Sequence, residues 1–139
     1  YHKPTDVEYT TTYITYKTES RKIIGEYPPQ QGTFFKTYKD GSGGAYCTFM
    51  GGDSKITAVR TGTKNGRRLL IFKDSFGNAV PGYLFYSFEE IHVVDGRYFN
   101  KNIIKYVKDN KITDLVFANN ATHATTSSFV NAYKRFLIQ

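Results

Sequence analysis

The run Leu69-Leu70-Ile71-Phe72-Lys73-Asp74-Ser75-Phe76-Gly77-Asn78 holds the residues best placed to do chemistry. A continuous apolar stretch passes through Asp-Ser into a helix-like segment. A serine on a strand-to-helix turn stands at the open end of a sheet with backbone N–H groups beside it, where acyl-transfer enzymes keep their nucleophile. Those N–H groups and the positive end of the helix dipole stabilise a developing oxyanion. Asp and Ser are also good helix N-caps, so the pair has a purely structural reading as well. A nucleophilic serine further needs a base, and no partner pattern for one is evident.

A second Asp-Ser pair competes. Gly52-Asp53-Ser54 reads like the Gly-Asp-Ser of lipase-type hydrolases. Yet Ser54 runs into Lys-Ile-Thr-Ala-Val-Arg-Thr, a strand pattern, so it is read as a turn residue and Ser75 as the nucleophile. Asp95-Gly96-Arg97-Tyr98 ends a second expected strand, and Asn119-Asn120 ends a third. In an open parallel sheet the carboxyl ends of neighbouring strands face one crevice. Asp74, Asp95, Arg97, Tyr98 and Asn119 are therefore expected to bind substrate there. Asn120 is expected to donate an amide N–H to the oxyanion, turn formation being its plainer role. Of the 3 histidines, His2 is terminal and His92 points from mid-strand into a packed layer. His123, at the crevice edge, is the one candidate for a general base, with capping or surface exposure as the alternative.

Two halves of different rhythm, meeting near Gly62, must position these groups. Residues 1–62 read as an antiparallel, β-rich subregion, with Val7, Tyr9, Thr11 and Tyr13 on one strand face and a further strand over 45–50. Tyr27 to Gly32 reads as a loop, because paired prolines supply no ladder donor. Residues 63–139 alternate strand and helix: strands over 69–73, 90–95 and 112–118, helices over 78–88, 100–110 and 125–137. Pro81 is expected in a helix first turn, where its missing N–H matters little. The third strand is expected to be buried. The last helix should present Phe129, Val130, Tyr133, Phe136 and Leu137 on one face. This rhythm predicts an α/β fold with a parallel sheet and flanking helices, both halves forming one domain.

Composition narrows the function classes. At 139 residues with 40% hydrophobic content the chain is long enough for a single core. Its formal charge of +7 comes from dispersed lysines and arginines, so no nucleic-acid partner is expected. The 12 tyrosines and 11 phenylalanines suit strand packing or, less commonly, stacking on sugars. Cys47 is the single cysteine and reads as a small buried residue, which excludes an intramolecular disulfide and a cysteine metal site. Neither metal nor cofactor is expected. No apolar stretch approaches the ~20 residues of a membrane span. Opening at Tyr1 without methionine, the chain reads as part of a longer protein whose targeting segment lies upstream. An exposed sheet edge is expected to allow pairing with a second copy.

Three blocks in order carry a family resemblance: Tyr46-Cys47-Thr48-Phe49-Met50-Gly51-Gly52, the Lys-Asp-Ser-Phe of residues 73–76, and Ile91-His92-Val93-Val94-Asp95-Gly96-Arg97-Tyr98. Over roughly its last hundred residues the chain resembles the DHHW family. That family is bacterial, mostly of Firmicutes, and is similar to the SGNH hydrolase-like domains of alginate O-acetylation proteins. The resemblance implies a partial three-layer SGNH-hydrolase-like fold, an extracytoplasmic, envelope-associated location, and Ser75 at the family's serine position. It implies esterase or O-acetyltransferase chemistry on an acylated envelope polysaccharide; the alternative is a non-catalytic carbohydrate-binding or assembly module, in which aromatic residues of the β-rich half such as Tyr13, Tyr16 and Tyr46 stack on sugars. The family's Asp-His-His-Trp, expected upstream of the serine, does not occur in this sequence. Its usual Gly-Gly-Asn-His is replaced by Gly51-Gly52-Asp53-Ser54. This chain is therefore expected to carry the nucleophile without the Asp-His pair and to be inactive alone.

Overall fold

Residues 8–138 are described by a computed structural model; Val7 and His2 lie outside them. The apolar run Arg68–Lys73 is a strand, with Leu69 to Lys73 all buried. Alternation sends Leu69 and Ile71 into one core and Leu70 and Phe72 into a second core on the opposite face. A strand covered on both sides needs that continuous apolar run.

In chain order the strands are β1 (Tyr9–Ile14), β2 (Tyr16–Glu19), β3 (Lys22–Glu26), β4 (Gln30–Gly32), β5 (Ile56–Thr61), β6 (Arg68–Lys73), β7 (Glu90–Asp95) and β8 (Asp114–Ala118). Helices α1 (Ile103–Asp109), α2 (Ala121–Thr125) and α3 (Ser127–Ile138) join them, with 3-10 helices over Gly43–Thr48 and Ser75–Leu84. Six strands make one sheet in the order β4-β1-β5-β7-β6-β8, and β2 with β3 forms a separate hairpin. Strand β6 runs parallel to both neighbours, with Ile71 opposite Val93 of β7 and Val116 of β8. The chain thus steps to one side of β6 and then to the other, which opens a crevice at its carboxyl end.

The expected parallel sheet is corrected to a mixed one. Strand β5 pairs antiparallel with β7, β1 with β5, and β4 with β1. The antiparallel half is therefore continuous with the parallel half. Phe72 is the hinge of the second core, packing among Phe99, Phe117, Tyr133 and Phe136 at ring separations of 5.5 to 5.8 Å.

Several local expectations change for identifiable reasons. The strand expected over 45–50 is a 3-10 helix, because a single bridge, Phe35 to Phe49, is all the pairing it finds. Cys47, within that helix, is partly exposed rather than buried. Residues Gln30–Gly32, expected in a loop, pair with β1, since the prolines stop just short of them. The helix expected over 78–88 begins earlier, at Ser75, and is wound as 3-10, so Pro81 falls in its interior. The last helix is broken at Thr126, which is extended. Of its expected apolar face, Phe136 is buried while Val130 and Leu137 remain exposed.

The two margins of the sheet differ. Strand β4 is three residues long, polar and preceded by Pro28-Pro29. Strand β8, expected to be buried, is the opposite margin, with Leu115 51% and Phe117 55% exposed. No helix among the described residues is long and apolar enough to cross a membrane.

Candidate active site

At the end of β6 the backbone of Asp74 is extended and its side chain caps the 3-10 helix that starts with Ser75. Asp74 is 2% exposed. Its Oδ1 accepts the Phe76 N–H at 2.9 Å; its Oδ2 accepts the Asn120 N–H at 2.8 Å and meets Nδ1 of His123 at 2.7 Å. Burial alone would raise this carboxyl, but the Asn120 N–H, the His123 ring and the Phe76 N–H outweigh it and hold it below the ordinary carboxylate range. An ionised Asp74 makes Nδ1 the protonated nitrogen of His123. The ring lies face to face with Phe129, centroids 3.8 Å apart, and Nε2 has no partner among the described residues.

The capping reading of Asp74 therefore holds, and it leaves Ser75 free. Ser75 is half-buried, and neither its hydroxyl nor its own N–H has a partner among the described residues. Its carbonyl accepts a hydrogen bond from the Tyr46 hydroxyl at 3.1 Å. Gly77 lets the helix start press onto the strand ends: a Cβ there would stand 2.6 Å from Cβ of Lys73 and 2.8 Å from the Ala118 carbonyl oxygen.

Beside this seat lies an ion cluster. Lys73 Nζ binds Asp53 Oδ1 at 2.8 Å and Asp95 Oδ2 at 2.9 Å. The Arg97 guanidinium donates to Asp95 Oδ1 at 2.9 Å, and through NH2 to Asp95 Oδ2 and Asp53 Oδ2, both at 2.6 Å. Hydrogen bonding to Asp95, then to Asp53, drives the Arg97 pKa further up. Burial opposes ionisation of Asp53, but Lys73 and Arg97 prevail and lower it. Asn78 Nδ2 links cluster to seat, donating to Asp53 Oδ1 at 3.3 Å and to the Tyr46 hydroxyl at 3.4 Å.

The structure thus brings Asp74, Ser75, Asn120 and His123 together at one strand end. Asp95 and Arg97 are adjacent but closed on each other; Asp95 is 0% exposed and offers a ligand no surface. Tyr98 stacks on Tyr16 at 4.2 Å, and the hydrogen bond with Tyr16, followed by burial, pushes its phenol up to about 12. Asn119 accepts from the Tyr133 hydroxyl at 3.0 Å. Asn120 caps α2 by accepting the His123 N–H at 2.9 Å, and no side chain of Asn120 or His123 hydrogen-bonds Ser75 among the described residues. His92 is buried between Glu90 and Tyr106, and Ser54 is buried just ahead of β5. No cluster of three or more metal-ligating side chains occurs among the described residues.

A cleft of about 210 Å³ adjoins Asp74, between the ends of β6 and β7 and helix α3. A larger groove of about 770 Å³ lies over β1, β5 and α1, away from Ser75. Sequence reasoning gave Lys73, Asp53 and Asn78 no role in the site. The signal for two of them was present: a lysine closing a fully buried strand requires an acid partner.

No family model matches the chain, and no curated protein matches it. Among solved structures it is similar to a DHHW family protein from Eubacterium siraeum, with 37% identity and a TM-score of 0.76 over 96% of this chain and 42% of that one. It is also similar to Bacillus cereus PatB1 with a sulfonyl adduct (20% identity, TM-score 0.63, covering 86% of this chain and 40% of that one). A second PatB1 structure matches at 17% identity and TM-score 0.61, over 91% of this chain and 52% of that one. The PatB1 likeness is one of fold alone. The chain spans about half or less of each of these proteins.

Proposed function

Taking as premise that this chain belongs to the DHHW family, we propose that it carries the nucleophile of an acyl-ester site acting on an acylated envelope polysaccharide, as esterase or O-acyltransferase. One observation carries the reading: Ser75 has no partner for its hydroxyl or N–H among the described residues and follows an interior strand of the sheet. The Ser75 oxygen attacks the acyl carbonyl carbon, its proton passes to a base, and the carbonyl oxygen becomes an oxyanion facing the Ser75 N–H. Collapse breaks the ester C–O bond, and the released sugar oxygen takes the proton back. Water or a second hydroxyl then removes the acyl group from Ser75. Asn120 Nδ2 is the second donor to the oxyanion; loss of one such donor lowers turnover on the order of 10²-fold.

The base is assigned to the family's Asp-His-His-Trp segment. His123 stands second, since Asp74 orients its ring as a triad acid would, yet its side chain makes no hydrogen bond to Ser75. Sulfonyl adducts form on nucleophilic side chains, and a PatB1 structure carries one; a sulfonyl fluoride and a fluorophosphonate are therefore the probes. In a longer protein that joins this chain to a family-type Asp-His-His-Trp segment, both reagents should label Ser75, and Ser75→Ala should abolish labelling and p-nitrophenyl acetate hydrolysis. Labelling that survives Ser75→Ala, or its complete absence, rejects the reading in favour of a non-catalytic carbohydrate-binding module. The present chain should turn over negligibly; hydrolysis by it that disappears in His123→Gln would move the base to His123.

A further inference from the structure

Two aromatic side chains beside the serine are not accounted for by packing. Tyr46 is 54% exposed and Phe76 is 76% exposed, and neither stacks on another ring among the described residues. Both are held in place. The Phe76 N–H is bound to Asp74 Oδ1 at 2.9 Å, which fixes the backbone from which the exposed phenyl group projects. The Tyr46 hydroxyl donates to the Ser75 carbonyl at 3.1 Å and accepts from Asn78 Nδ2 at 3.4 Å, which anchors the phenol at its tip. Aromatic side chains with few rotatable bonds give large contact area for little ordering entropy. The C–H faces of a pyranose ring pack on such planes, while its rim hydroxyls remain hydrated.

Burial selects among the tyrosines of the β-rich half. Tyr13 is buried, with its hydroxyl on the Thr33 carbonyl at 2.6 Å, and Tyr16 is covered by Tyr98. Tyr46 keeps an open ring next to the nucleophile. We propose that Tyr46 and Phe76 flank Ser75 as a stacking ledge for the pyranose rings of a polysaccharide. The ledge holds a sugar so that its ester meets the serine. This role rests on the acyl-ester reading for its purpose, but the binding itself does not.

The test titrates the chain with an N-acetylglucosamine hexamer and with an acetylated xylo-oligosaccharide, following aromatic resonances by NMR. Saturable shifts are expected with at least one oligosaccharide. Tyr46→Phe, which keeps the ring, should hold Kd within about threefold, whereas Tyr46→Leu and Phe76→Leu should each weaken it about tenfold. Phe76→Leu changes an exposed side chain, so it serves even if Tyr46→Leu disturbs the fold. No saturable shift with either oligosaccharide, or undiminished binding by Phe76→Leu, overturns the ledge. Serine labelling of the longer protein separates the two ideas. Sugar binding through Tyr46 without labelling removes the acyl chemistry and keeps the ledge; labelling without sugar binding does the reverse.

Discussion

Asp74 directly follows β6 and Asp95 ends its parallel neighbour β7, and each begins with the same local device: a carboxylate oxygen accepts the N–H two residues on, from Phe76 at 2.9 Å and from Arg97 at 3.0 Å. Beyond that they diverge. Around Asp95 the second residue is itself a cation, and Lys73 supplies another, so the acid closes into an ion cluster. Around Asp74 the second residue is a phenylalanine and the remaining partners are the Asn120 N–H and an imidazole. There the acid ties β8 and α2 to the end of β6 and leaves the residue after it open. One turn thus yields a sealed structural joint or a seat for a nucleophile, according to the charge of what stands next to it.

The largest break in this comparison should come from Asp95→Ala. It leaves buried Lys73 with Asp53 alone, and removal of one partner from a buried pair lowers stability by about 3–5 kcal/mol, read from the urea midpoint. Asp74→Ala should lower it by roughly 2 kcal/mol, a lost cap plus unpaired donors. It should also free the His123 ring, visible as a change in its imidazole ¹⁵N shifts. A greater loss for Asp74→Ala than for Asp95→Ala would invert the comparison. Smallest is the response to acid. Asp53, Asp74 and Glu90 all sit below their ordinary values, so each favours the fold above about pH 4 and loses that contribution as pH falls through its folded value. The urea midpoint should hold from pH 7 to 5 and drop below about pH 4, with a shallower drop in Asp74→Ala; an unchanged slope in that variant would show that Asp74 plays no part in the acid response.

The readability of the sequence followed local signal strength. Leu69 to Lys73 was legible because a strand covered on two faces needs a continuous apolar run, and Glu90 to Asp95 because β-branched Ile91, Val93 and Val94 favour a strand. Ser75 at the strand end was legible from the Asp-Ser handover. What escaped depends on distant partners. Nothing local says that Ala45 to Met50 finds no strand to pair with, or that Asp53 reaches Lys73 across 20 positions. Asp95 and Arg97 were read as substrate-facing, but they close on each other directly and on Lys73, a partner that the apolar pattern around it concealed.

The contrast between the sheet's flanks bears on how the chain behaves in a test tube. At Gln30–Gly32 brevity, polarity and adjoining prolines discourage any newcomer. Along Asp114–Ala118 the backbone groups that face away from β6 pair with no strand among the described residues, and the strand itself holds no lysine or proline to act as gatekeeper. Concentrated stocks should therefore cloud or lengthen into ribbons from that flank first, and lysine in place of Phe117 is the change that should keep them clear.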